Sequence, residues 1–235
     1  MKNLKFLLLI ATLLLTTASC DNRNIKQVVK ELSEAPVDTA GMTAVTIKTN
    51  EFTSVEIDCF ADVTYHQTNN GTAPSVTLKA RKEVLQNMSN KVDDGELEIL
   101  IDRRYRMPEK AVIVIDIYAP FVSKFSINGG KCLRLGKIAI SSPLDLSIDG
   151  VGAMTSDTIN APEITASLSG SGSIDLGGIT ANRITAILNG AGEIMLAGKS
   201  GETTTEINGA GTIDISQLKS SGRVSKKING AGTVR

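Results

Sequence analysis

Aromatic and imidazole side chains are scarce in this chain: its 235 residues include no Trp, three Tyr, five Phe and one His. So few rings leave little for broad carbohydrate-stacking platforms or base-stacking surfaces. A single histidine, His66, excludes a multi-histidine zinc site, and any Ser-His-Asp triad would have to form around it. No Gly-x-Ser-x-Gly elbow accompanies it. Neither charge sign is in excess, since Lys+Arg and Asp+Glu both number 25; a nucleic-acid partner is therefore not expected. Cysteine is limited to Cys20, Cys59 and Cys132.

The first residues carry an address. Lys2 and Lys5 precede the apolar run Phe6 to Leu15, then Thr16-Thr17-Ala18-Ser19 and Cys20, the layout of an export signal. Ten apolar residues are too few to span a bilayer. Thr17-Ala18-Ser19-Cys20 resembles a bacterial lipoprotein box, with Thr17 where leucine is usual. Residues 1–19 are thus predicted to be a lipoprotein-type signal peptide, and Cys20 the lipidated first residue of the mature chain. Several acyl chains would hold the protein on a membrane without spanning it. Residues 20–41, polar and interrupted by Pro36, read as a tether.

What the chain has in quantity is glycine, 21 residues, much of it in six regular motifs. They are Ile127-Asn128-Gly129-Gly130, Ile148-Asp149-Gly150-Val151-Gly152, Leu168-Ser169-Gly170-Ser171-Gly172, Leu188-Asn189-Gly190-Ala191-Gly192, Ile207-Asn208-Gly209-Ala210-Gly211 and Ile228-Asn229-Gly230-Ala231-Gly232. First glycines are spaced 21, 20, 20, 19 and 21 residues apart, an interval that signals a solenoid with one supersecondary unit per coil. Column alignment supports stacking. Ile127, Ile148, Leu168, Leu188, Ile207 and Ile228 form one aliphatic column, and Leu133, Met154, Ile174, Ile194, Ile213 and Val234 form another. Each coil reads as strand, glycine corner, strand and loop, in an all-β, narrow parallel β-helix with coils of about 20 residues. Glycines suit a corner that needs positive φ and close backbone approach. Asn128, Asn189, Asn208 and Asn229 are placed to form a side-chain ladder.

Residues 42–122 show strand patterns without the glycine motif, among them Val55-Glu56-Ile57-Asp58 and Val112 to Ile117. They read as irregular β coils continuous with the regular repeats of 123–235, so that 42–235 forms one domain. Val84, Leu85, Met88 and Val92 recur at helical spacing, which predicts a short helix or wide loop over 82–92. Cys59 and Cys132 lie 73 residues apart, roughly 3.6 coils or 17 Å at the usual strand spacing. Bridged Cα atoms must approach within about 7 Å, so these are expected to be separate buried thiols.

The candidate chemistry is thin. Gly-x-Gly continues into strands such as Ser173-Ile174-Asp175-Leu176, without the third glycine and helix of a dinucleotide fold. Asp175 and Asp214 share a column, but Thr155, Met195 and Arg235 interrupt it, unlike a calcium β-roll. Asp93-Asp94 and Glu96 fall in a turn. Arg103, Arg104 and Arg106 form the densest basic cluster, a candidate contact for an anionic polysaccharide or phosphate-bearing surface. No catalytic residue, metal or cofactor is predicted.

Phe52 to Ile57, Asp62-Val63-Thr64-Tyr65-His66-Gln67, Gly95-Glu96-Leu97-Glu98-Ile99 and the glycine coils resemble the putative auto-transporter adhesin, head GIN domain family of bacterial envelope proteins. The resemblance covers roughly residues 43–234 and implies a right-handed β-helix in an exported, lipid-anchored protein; it supplies no catalytic residues. The expected function is a non-enzymatic outer-membrane lipoprotein whose solenoid holds glycans or surface proteins. A polysaccharide lyase or hydrolase and a structural component of the envelope are the alternatives. The last motif runs nearly to Arg235, so a homo-oligomer through the C-terminal solenoid edge is a further expectation.

Overall fold

The computed structural model describes residues 41–108 and 111–235. The predicted signal peptide 1–19, the lipidation site Cys20 and nearly all of the tether 20–41 lie outside the described residues. Among the described residues no helix is long and apolar enough to cross a membrane.

The chain is a β-solenoid with two main walls of hydrogen-bonded strands. Coils of roughly 21 residues are stacked in register through its regular part. One wall contains β5 (Met88–Asp93), β6 (Glu96–Ile101), β2 (Ser54–Asp58) and β8 (Lys124–Asn128). It continues through segments of β10 (Leu144–Asn160), β11 (Glu163–Gly190) and β12 (Glu193–Gly209), and ends at β14 (Val224–Gly230). The other contains β1 (Thr43–Lys48), β4 (Ser75–Ala80), β7 (Val114–Ala119), β3 (Asp62–Gln67) and β9 (Cys132–Ala139). Further segments of β10, β11 and β12 follow, then β13 (Thr212–Ser220) and β15 (Thr233–Val234). The long strands β10 to β12 continue through the glycine corners from one wall to the other.

The motif columns become the core. Ile127, Ile148, Leu168, Leu188 and Ile207 are all buried, and Ile148 pairs in register with both Ile127 and Leu168. Each such side chain removed from water contributes about 1.5–3 kcal/mol. The corners depend on glycine in two ways. Gly129 has φ +83°, a conformation that a side chain disfavours. Gly172 has no such φ, yet a Cβ there would stand 2.3 Å from the Gly152 carbonyl oxygen of the neighbouring coil.

Coil order departs from chain order at the N-terminal end. The coil made by β2 and β3 is inserted between the β6–β7 coil and the β8–β9 coil, pairing in parallel with both. Gln67 braces this arrangement: its amide donates to the Pro120 and Ala139 carbonyls and accepts from the Ala139 N–H. Antiparallel strands close that end, β4 on β7, β1 on β4 and β5 on β6. The 82–92 segment is a single helical turn, α1 (Lys82–Leu85), followed by β5. The helical spacing thus gives way to a strand, because Met88, Asn90 and Val92 alternate inward when paired with β6.

The same insertion corrects the expected separation of the cysteines. Cys132 pairs with Asp62 and donates its N–H to the Ala61 carbonyl at 3.3 Å, so the two cysteines lie on neighbouring coils, not 3.6 coils apart. Both are buried free thiols. Burial pushes the Cys59 thiol up to about 12 and raises that of Cys132, which keeps them in the unreactive protonated form.

The opposite end exposes the core. Along one inward column the residues run Phe125, Leu146, Ala166, Ala186, Thr205 and Lys226, from apolar to charged. On β14, Val224 and Ile228 are 42% and 44% exposed on either side of Lys226.

Candidate functional site

The insertion of the β2–β3 coil brings together residues that are distant in sequence. β3 pairs with β7, placing Thr64 beside Asp116 and His66 beside Tyr118; β4 pairs with β7 on its other side, placing Thr77 beside Asp116. All five alternate outward from strands whose inward residues, Val63, Tyr65, Ile115, Ile117, Val76 and Leu78, are buried. The wall is held from behind by Tyr65. Its ring meets Phe125 edge-on at 4.9 Å and its hydroxyl donates to the Ala119 carbonyl at 3.0 Å.

Asp116 is the centre of this group. One carboxylate oxygen accepts from Lys79 Nζ at 2.8 Å and the other lies 3.3 Å from His66 Nε2. Burial opposes its ionisation, but the bonds from Lys79 and His66 outweigh that and hold the carboxyl below its usual range. The Asp116 bond raises the Lys79 ammonium in turn. The His66 and Tyr118 rings stack with centroids 4.5 Å apart and 12° between planes. A fixed, half-exposed ring pair beside a carboxylate suits recognition of a ring-shaped ligand bearing hydroxyls. The sequence marked His66 as a lone histidine and gave no sign of Asp116 or Tyr118, because only coil order joins them.

A second ion group lies where the glycine corner meets β3. Asp62, 4% exposed at its side chain, takes Lys131 Nζ at 2.7 Å and Arg134 Nη2 at 3.7 Å. On the other wall, Glu56, Glu96 and Glu98 each offer a carboxylate oxygen within 4.8 Å of the others, the arrangement among the described residues that could hold a metal. Protein donors already engage it. Ser54 and Lys124 donate to Glu96, and Asn128 donates to Glu56. Glu56 is raised by burial and then by repulsion from Glu96, whereas the Ser54 bond holds Glu96 below its usual range.

The structure separates the other sequence candidates. Arg103 and Arg104 are highly exposed, each turned to a carboxylate, Asp58 at 3.0 Å and Asp102 at 3.2 Å. Arg106 is exposed in the same loop. Asp93 pairs with Lys91, while Asp94 takes φ +46° in the turn before β6. Asn229 donates to Asn208 at 2.7 Å and Asn208 to Asn189 at 2.8 Å, so three of the four asparagines form a ladder. Asn128 is separated from them by Asp149 and Ser169 and bonds Glu56 instead.

The sequence profile described as putative auto-transporter adhesin, head GIN domain, matches residues 51–235. Among curated proteins none matches the sequence. Crystal structures similar to this one include a putative adhesin from Bacteroides fragilis, at TM-score 0.62 and 19% identity over 83% of this chain and 96% of that one. A putative adhesin from Parabacteroides distasonis gives TM-score 0.54 at 16% identity, covering 83% of this chain and 92% of that one. A putative lipid binding protein from the same species gives TM-score 0.52 at 16% identity, covering 83% and 96%. At these identities the likeness is one of fold.

Proposed function

Because the chain belongs to the putative auto-transporter adhesin, head GIN domain family, we propose that it is a non-enzymatic, adhesin-like protein of the cell envelope. In this reading it is anchored by lipid on Cys20 as an outer-membrane lipoprotein and holds glycans or surface proteins on its solenoid wall. The observation that carries the reading is the outward group of His66, Tyr118, Asp116 and Lys79, fixed on a rigid sheet by its own bonds. Side chains ordered before a ligand arrives lower the entropy cost of binding, which is what a holding surface needs. The family name points to an extracellular or envelope-associated place, and the leader supplies a route there.

The test is made in cells. With intact Cys20 the protein should partition with membranes, and Cys20→Ser should release it to the soluble fraction. Protease added to intact cells should cleave it, and cells expressing it should adhere to glycan-coated or matrix-coated surfaces more than cells lacking it. Complete protection from protease would end the adhesive reading, and turnover of anionic polysaccharides by purified protein would replace it with an enzymatic one.

A further inference from the structure

The spacing of the His66–Tyr118 stack, 4.5 Å, nearly equals the strand spacing of about 4.8 Å. Each ring therefore lies roughly in the plane of its own coil. A third ring stacked on the free side of His66 would lie over the next coil, at the position after the Tyr65–Leu135 pair. That position is Gly136. A Cβ built there would meet only the Tyr65 carbonyl oxygen, at 3.8 Å, so the place beside the imidazole has a bare backbone base.

One coil further stands Asp157, bracketed by the Ser156–Leu135 and Thr158–Lys137 pairs and exposed, as is Lys137. The His66 and Asp157 columns are thus two strand spacings apart, about 9.6 Å. This is a slot one coil deep. Its walls are the columns of His66 and Asp157, and exposed Lys137 follows Gly136 along β9. Two strand spacings accommodate one saturated ring in van der Waals contact with the imidazole and hydrogen-bonded to the carboxylate.

We infer that the slot between His66 and Asp157 binds a hexopyranose residue of a neutral glycan, an inference that rests on the adhesive reading above and gives it a site. The C–H face of the sugar lies on the π face of His66, whose other side is backed by Tyr118. Vicinal hydroxyls donate to the Asp157 carboxylate, which can accept both, and a ring or hydroxyl oxygen accepts from Lys137. Asp116 holds the imidazole in place through Nε2. The formal charges of Asp157 and Lys137 cancel, which favours an uncharged sugar over a uronic or sulfated one.

The full chain is screened on immobilised neutral and acidic glycans, and binding of methyl hexopyranosides is followed by saturation-transfer NMR. Gly136→Val fills the base of the slot on a strand whose backbone accepts a side chain, and His66→Ala removes its wall. Each should weaken neutral-glycan binding by about tenfold or more, with the melting temperature of Gly136→Val within about 2 °C of the parent. If the parent binds neutral glycans and Gly136→Val binds them equally, the slot is wrong and the adhesive reading stands. Binding confined to acidic glycans, or cell adhesion through proteins with no glycan bound, likewise overturns the slot alone. Failure to adhere to any surface overturns both.

Discussion

Single carboxylates on the two walls respond to pH in opposite directions. Glu56 is raised in the folded chain, so its contribution to stability is present in acid and is lost as pH rises from the usual carboxylate value through the raised one. Asp116 is lowered, so its contribution is present at neutral pH and lost as pH falls through the folded value. Glu56→Gln keeps an oxygen for Asn128 and removes the repulsion from Glu96. It should raise the melting temperature at pH 7 by about 1–2 °C, a small gain because the group is largely solvated. The gain should be smaller near pH 4, because the raised Glu56 takes up its proton as pH falls. A scanning-calorimetry series that shows the same gain at both pH values would mean that charge is not its cause.

At the scale of strands and corners, close stacking sets the tolerance of each glycine. Gly172→Ala forces a methyl toward the Gly152 carbonyl and should cost about 3 kcal/mol, a fall in melting temperature of roughly 6–12 °C. An equal melting temperature would show that neighbouring coils can separate freely. The sequence makes this half of the molecule legible because every coil repeats its corner and its inward aliphatic residue, as Ile148, Leu168 and Leu188 do. The N-terminal half has no such marker. Val55 and Ile57 alternate as a strand with either wall or neighbour, so nothing local says that β2 lies between β6 and β8. Hence the coil count between Cys59 and Cys132 failed, and hence His66 was visible as a residue but not as part of a site. Its partners Tyr118 and Asp116 arrive through pairing across about fifty residues of chain. The Arg103–Arg104 cluster, dense in sequence, stays exposed in its loop, with Arg103 turned to Asp58 and Arg104 to Asp102.

At the scale of the whole molecule, the last described coil leaves apolar side chains open to solvent. An exposed strand edge beside Val224 and Ile228 invites pairing, but Lys226 occupies an inward position there, and inward charge is a known guard of free edges. Lys226→Leu should shift sedimentation toward dimers or longer stacks as concentration rises, while the parent sediments with less association. If the variant and the parent sediment alike, something other than this lysine governs the edge. The inserted β2–β3 coil bears on a different property, the order in which the molecule can be completed during synthesis. The regular coils can be added one on another as they emerge, since each needs only the coil before it. Residues 54–67 must wait for both neighbours, the later of which ends at Ala139. Until then two strand edges remain unpaired, and closing the long intervening chain slows their capture. Of the described coils, the earliest in the chain is thus among the last to gain its second neighbour, and a chaperone acting on the emerging chain would have its longest task there.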